Sequence, residues 1–160
     1  MRQGIEDRRI RLRISPGGRG SGEQFVRRRY AEELLGYRER RYRIYTALLV
    51  LIDADQYGVE ERLQHLRNAA SAFNVDDRFA GERIAVFVPK RTVETWIRCL
   101  LGREVDEVAD YSDDRELCGR QTKPAALVLF DWARRQESLP VHCPDSLRRA
   151  IRDEIPRIAV

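Results

Sequence analysis

Lysine is almost missing from this 160-residue chain: of its 30 cationic residues only Lys90 and Lys123 are not arginine. Histidine, methionine and tryptophan are at least as sparse, at two, one and two. Three cysteines, Cys99, Cys118 and Cys143, are odd in number and lack the close spacing of a zinc knuckle or a redox pair. That argues against a disulfide-stapled secreted domain, and the thiols are expected to be reduced. Cys118, His142 and Cys143 would offer a metal three ligands, but no fourth stands at a recognisable spacing. Long apolar runs are also absent. The longest, Ala47 to Ile52, is far short of the roughly 20 residues that span a bilayer, and no apolar stretch follows the arginine-rich N-terminus as a signal peptide requires. No membrane association is expected, and the expected location is cytoplasmic.

What is present is enough for one domain, residues 1–160, able to bury about two thirds of its unfolded surface. The net charge of +4 is unevenly spread. Residues 1–43 hold 13 arginines against six acids, a local balance of +7 that leaves −3 for the rest. The planar guanidinium fork suits phosphate, so a basic first third predicts DNA or RNA as partner. A GC-rich coding sequence would explain arginine over lysine equally well, although not the clustering.

Periodicity divides the chain. Ile10 to Ile14 alternates aliphatic and arginine residues, the pattern of a short strand with one basic face. Ser15 to Gly22 breaks it. Ser21 and Gln24 have capping-box spacing, and Phe25 to Tyr37 is predicted as a helix. Ala47 to Ile52 and Ile84 to Val88 are continuous apolar runs, predicted as parallel strands buried on both faces. Between them, Val59 to Phe73 is predicted helical, with Leu63, Leu66, Ala70 and Phe73 on the core face. Thr92 is predicted to cap a helix through Leu101 that Gly102 ends. Residues 104–123 form an acidic loop or insertion, and residues 124–160 carry two helices, Pro124 to Gln136 and Ser146 to Ile155. This alternation predicts an α/β fold with a mainly parallel, Rossmann-like sheet flanked by helices.

In such sheets ligands sit beyond the carboxyl ends of the strands, where Asp53 and Asp55 fall. On extended backbone the D-x-D spacing points both carboxylates to one side, where they can share a cation. Oxygen-only ligands suit Mg²⁺ or Mn²⁺. Without a ligand, Asp53 would cap a turn or the following helix and Asp55 would be solvated. Lys90, Arg91 and Glu94 follow the second run at the same presumed end. Arg19 lies in a glycine-rich loop that matches neither standard nucleotide-binding spacing, yet offers free backbone N–H groups to an anion.

The segments "LLVLIDAD" and "RIAVFVPKRTVETWI" resemble the corresponding parts of TOPRIM-like domains, the metal-binding module of topoisomerases, primases and overcoming-lysogenization-defect type nucleases. The second of them resembles the strand and following helix in small bacterial TOPRIM-related proteins found near defence genes. The resemblance spans roughly residues 10–101. It implies a doubly wound sheet in which Asp53 and Asp55 bind Mg²⁺ and a glutamate ending the first strand acts as general acid or base. That glutamate has no counterpart: Met1 to Arg9 is polar and Glu6 sits in a turn-like run. The missing strand would lie beside the D-x-D strand. The sequence would then begin at an internal methionine of a longer protein, take a strand from a homodimer or partner protein, or be a degenerate relative.

Three functions are therefore expected in order. The first is Mg²⁺-dependent cleavage of nucleic-acid phosphodiesters in defence against phage or mobile elements. Asp53 and Asp55 would be the metal ligands, Glu94 or Glu6 the third carboxylate, and Arg19, Lys90 and Arg91 the phosphate contacts. The second is a non-catalytic module that binds nucleic acid or a protein. The third is a small-molecule phosphotransferase. Asp106, Glu107 and Asp110 of the acidic loop are further carboxylates within conceivable reach.

Overall fold

A computed structural model describes residues 10–15, 21–40, 46–114, 121–135 and 139–159. Helix α1 spans Ser21–Arg40 and buries Tyr30, Ala31, Leu34 and Tyr37, one stripe at helical spacing. Its charges follow the macrodipole, with Glu23 in the first turn and Arg38 and Arg40 in the last. Strand β1 spans Leu48–Leu51, helix α2 Val59–Ser71, strand β2 Ile84–Phe87 and helix α3 Val93–Leu100. After an acidic loop come α4, Thr122–Arg135, and α5, Asp145–Arg149. A π-helical segment, Ala150–Glu154, then leads into α6, Ile155–Ile158.

The two strands pair in parallel with Leu48 opposite Ile84 and Leu51 opposite Phe87. The ladder runs past the regular strands, since Ile52 N–H donates to Phe87 O at 3.1 Å and Ala54 N–H to Pro89 O at 2.8 Å. Even-numbered residues of β1 thus turn their backbone groups to β2, and Leu49, Leu51 and Asp53 turn theirs outward.

Side chains of Val50, Ile52, Ala54, Ile84, Val86 and Val88 meet α1 and α2 in one core. A second core joins α3, α4, α5 and the π segment around Trp96, Cys99, Leu147 and Ile151, and Phe87 reaches it edge-on to Trp96 at 6.4 Å. Cys99 and Cys143 are buried in that second core and are not bridged, while Cys118 lies outside the described residues.

Helices α2 and α3 end in the same way. Asn74 and Gly102 take positive φ, and the next residues, Val75 and Arg103, donate back to Ala70 O and Arg98 O at 3.1 and 3.0 Å. The expected stop at Gly102 is therefore seen. At Asn74 the same device ends α2 before Phe73 can join the core face, and Phe73 is 63% exposed rather than buried.

Other expectations need correction. Ile10 to Ile14 pairs with no described strand and runs as exposed irregular chain, with Arg11 and Arg13 drawn to Glu33 of α1. The protein is mixed α/β, but among the described residues its sheet has two strands. β2 is buried as predicted, whereas β1 is covered on one face only, with Leu49 and Leu51 about half exposed. The final predicted helix is divided by a π turn that swings Glu154 inward. No helix of the described residues is long and apolar enough to cross a membrane.

Candidate functional site

β1 delivers Asp53 to the carboxyl end of the sheet, where the chain must turn into α2. The turn is made at Asp55, whose φ of 57° is left-handed, and it closes with Tyr57 N–H donating to Ala54 O at 3.0 Å. Aspartate tolerates this conformation better than most side chains. The two carboxylates are consequently not successive positions on one face of a strand, as expected from D-x-D spacing. Asp53 stays on the ladder, while Asp55 swings out and pairs with Arg91 at 3.1 Å.

Lys90 and Arg91 both arrive where predicted, after β2, and both close the turn. Lys90 Nζ donates to Tyr57 O at 2.8 Å, beside the Arg91–Asp55 pair. Glu94 enters from the first turn of α3. Thr92 caps that helix by position, but its buried hydroxyl makes no hydrogen bond.

Asp53 is the electrostatic centre of this group. Its carboxyl is reached by solvent, yet the protein packed around it removes enough water to raise its pKa to about 6, helped by the negative charges of Glu94, Asp55 and Asp110. Arg62 acts in the opposite direction. Asp110 comes from the acidic loop and is fixed there by accepting Ser112 N–H at 2.9 Å, which holds its own carboxyl below the usual range. Asp106 and Glu107 of that loop are engaged elsewhere. Glu107 accepts the Asp145 and Ser146 N–H groups and caps α5, and Asp106 accepts Val108 N–H. Arg19 and Glu6 lie outside the described residues.

Arg62, which the sequence does not single out, is the residue that organises the turn from below. It is 1% exposed, donates to Ala54 O at 3.1 Å, lies 4.8 Å from the Tyr57 ring and pairs with Glu23 of α1 at 2.5 Å. An arginine beside Leu63 on the apolar stripe of a helix is the one signal that would have marked it, because such a position is rarely cationic without a buried partner.

The basic first third is less open to an anionic polymer than its charge implies. Arg11, Arg13, Arg27, Arg29 and Arg38 each pair with a carboxylate, and Arg38 also donates to Asp76 O and Asp77 O. A shallow groove between α1 and α2, lined by Arg27, Arg28 and Phe73, contains none of the predicted site residues.

Among the described residues no three His, Cys, Asp or Glu side chains converge closely enough to hold a metal ion. The donor set at Asp53 is nonetheless all carboxylate, and Mg²⁺ is commonly held by one or two carboxylates while keeping several waters. No family model matches the chain, and neither does any curated protein or solved structure.

Proposed function

We propose that this chain is a TOPRIM-like protein that cleaves nucleic-acid phosphodiesters with Mg²⁺ or Mn²⁺, its two strands being what the described residues retain of a larger Rossmann-like sheet. One observation carries this: Asp55 from the same turn, Glu94 from α3 and Asp110 from the acidic loop all act on Asp53 at the carboxyl end of β1. Like charges gathered beside one partly desolvated carboxyl are costly, and a cation placed among them relieves that repulsion. Asp53 and Glu94 would hold the ion, with Asp55 joining when Arg91 leaves it. The ion would supply charge for a phosphoryl oxygen and for an attacking water.

The residues around it perform supporting tasks. Lys90 and Arg91 keep the turn closed, and Arg91, two-thirds buried, is placed to exchange Asp55 for a substrate phosphate. Without metal the Asp53 carboxyl has its pKa raised to about 6, and a bound ion would hold it deprotonated as a ligand. The second reading, a module that binds without cutting, is favoured by the absence of a first-strand glutamate at any described position.

The test is cleavage of single- and double-stranded DNA and of RNA with and without Mg²⁺ or Mn²⁺. Asp53→Asn and Glu94→Gln, each with unchanged circular dichroism, should lower cleavage on the order of 10³-fold, the several kcal/mol that a metal ion contributes. Metal-dependent cleavage that survives both substitutions would reject the assignment. Salt-sensitive binding with no cleavage would favour the second reading.

A further inference from the structure

The two lateral edges of the sheet are finished differently. Along β2, Glu154 accepts Val86 N–H while Arg78 and Arg157 donate to Ile84 O at 3.0 and 2.8 Å, so these two outward backbone groups are occupied by side chains. Along β1, the outward groups of Leu49, Leu51 and Asp53 have no hydrogen bond to any described residue. Leu49 and Leu51 are also 56% and 50% exposed. This edge has no proline, lysine or bulge of the kind that usually guards an edge strand.

The chain also holds strand-like sequence that no sheet has taken up. Ile10, Leu12 and Ile14 are 47%, 70% and 76% exposed, and alternate with Arg11 and Arg13. Those arginines reach Glu33 only at 4.0 and 3.5 Å, surface ion pairs that stabilise little and are easily exchanged.

We infer that Ile10–Ile14 of a second copy of this chain adds to the β1 edge, in a reciprocal exchange that forms a two-fold dimer. The lengths agree, since Leu49–Asp53 and Ile10–Ile14 each extend ~16 Å at the rise of a strand. The charges agree as well: the edge ends at Asp53 and Asp55, and the incoming segment carries arginines and no acid. Its source is another molecule because, within its own chain, the segment lies along Glu33 of α1 and the edge is unpaired among the described residues. Exchange supplies each copy with a third strand through backbone bonds. It requires no metal and no catalysis, so it stands or falls apart from the cleavage reading.

The test uses the full chain. Leu12→Cys and Leu51→Cys proteins, each also carrying Cys118→Ser, are mixed and oxidised with copper phenanthroline, and a disulfide-linked pair is expected on a non-reducing gel. Light scattering should find the unmodified chain dimeric. Leu12→Glu and Leu51→Glu, both at exposed positions, should raise the dimer Kd by roughly 100-fold with an unchanged circular dichroism spectrum. A monomer at every concentration would overturn the inference. So would a dimer indifferent to both glutamates, or cross-linking found only within single chains of a Leu12→Cys/Leu51→Cys protein.

Discussion

The Glu154 carboxylate accepts the Val86 backbone N–H at 2.8 Å, and this bond stands where a neighbouring strand would otherwise pair with β2. The same carboxylate is gripped by Arg78 through both guanidinium nitrogens, one of them at 2.7 Å. Burial opposes ionisation of Glu154, but the hydrogen bonds from Arg78 and Val86 outweigh it and hold the carboxyl below its usual range. A lowered pKa means stability that is complete above the unfolded value, about 4.3, and is lost as pH falls through the folded value. Glu154→Ala leaves Arg78 buried without its anion and should cost about 3–5 kcal/mol in urea denaturation at pH 7. Glu154→Gln should cost less and should flatten the acid limb of the stability profile. An acid limb unchanged in Glu154→Gln would show that the pair does not control it.

Leu66 and Phe73 test where α2 stops. Leu66 is 1% exposed between the sheet and α1, so Leu66→Ala should destabilise by about 2–5 kcal/mol through lost transfer energy and a cavity. Phe73 lies beyond the Asn74-terminated helix, and Phe73→Ala should change stability by no more than about 0.5 kcal/mol. Comparable losses from the two would restore Phe73 to the core and move the helix end.

These positions show how the fold was legible. Apolar run and helical period located β1, α2, β2 and α3 to within about two residues, because each buries a stripe that only its own period produces. The stop at Gly102 was visible for the same local reason. Asn74 performs the same job but is a weaker signal, since asparagine adopts positive φ only occasionally. Ile10 to Ile14 shows the limit of periodicity. Alternation makes a segment fit to be a strand, but pairing depends on an edge elsewhere, and in the described structure that edge is unfilled.

The site was legible in its address and less so in its geometry. Placing Asp53, Asp55, Lys90, Arg91 and Glu94 at one sheet end needed only two parallel strands and their following loops. That Asp55 leaves the ladder at a left-handed residue, and that Arg62 reaches up from α2 to Ala54 O, depend on side chains packing in three dimensions. Asp110 was one of several acids in its loop, and only the folded path of that loop distinguishes it from Glu107.

Asp53 sets the pH response of the site. Its folded pKa of about 6 lies above the unfolded value of about 3.9. The stability it contributes is therefore complete below pH ~4 and is lost as pH rises through ~6. Asp53→Asn should remove that slope and leave the protein more stable than the parent at pH 7. A bound divalent ion competes with the proton, so Mg²⁺ should raise the Tm of the parent above pH 6, and neither the parent below pH 5 nor Asp53→Asn at any pH. Thermal melts across pH with and without MgCl₂ measure both effects. A parent profile identical to that of Asp53→Asn would remove Asp53 from the site.

Arg62 ties this response to the rest of the fold. Its guanidinium meets three groups at once: the carbonyl between the two aspartates, the Tyr57 ring and Glu23 of α1. Arg62→Met keeps most of the aliphatic volume but strands the Ala54 carbonyl, which should cost about 2–3 kcal/mol. Loss of stability alone would fit any buried arginine, so the informative reading is electrostatic. Arg62 lowers the Asp53 pKa against the pull of burial and of Glu94. In Arg62→Met that carboxyl should titrate above 6, as followed by carboxyl-carbon NMR shifts. Arg67→Met, on the same helix but bonded among the described residues only to Gln64, should leave both the titration and the stability close to the parent. If Arg62→Met destabilises the protein while Asp53 titrates as before, the arginine supports α2 and does not tune the site.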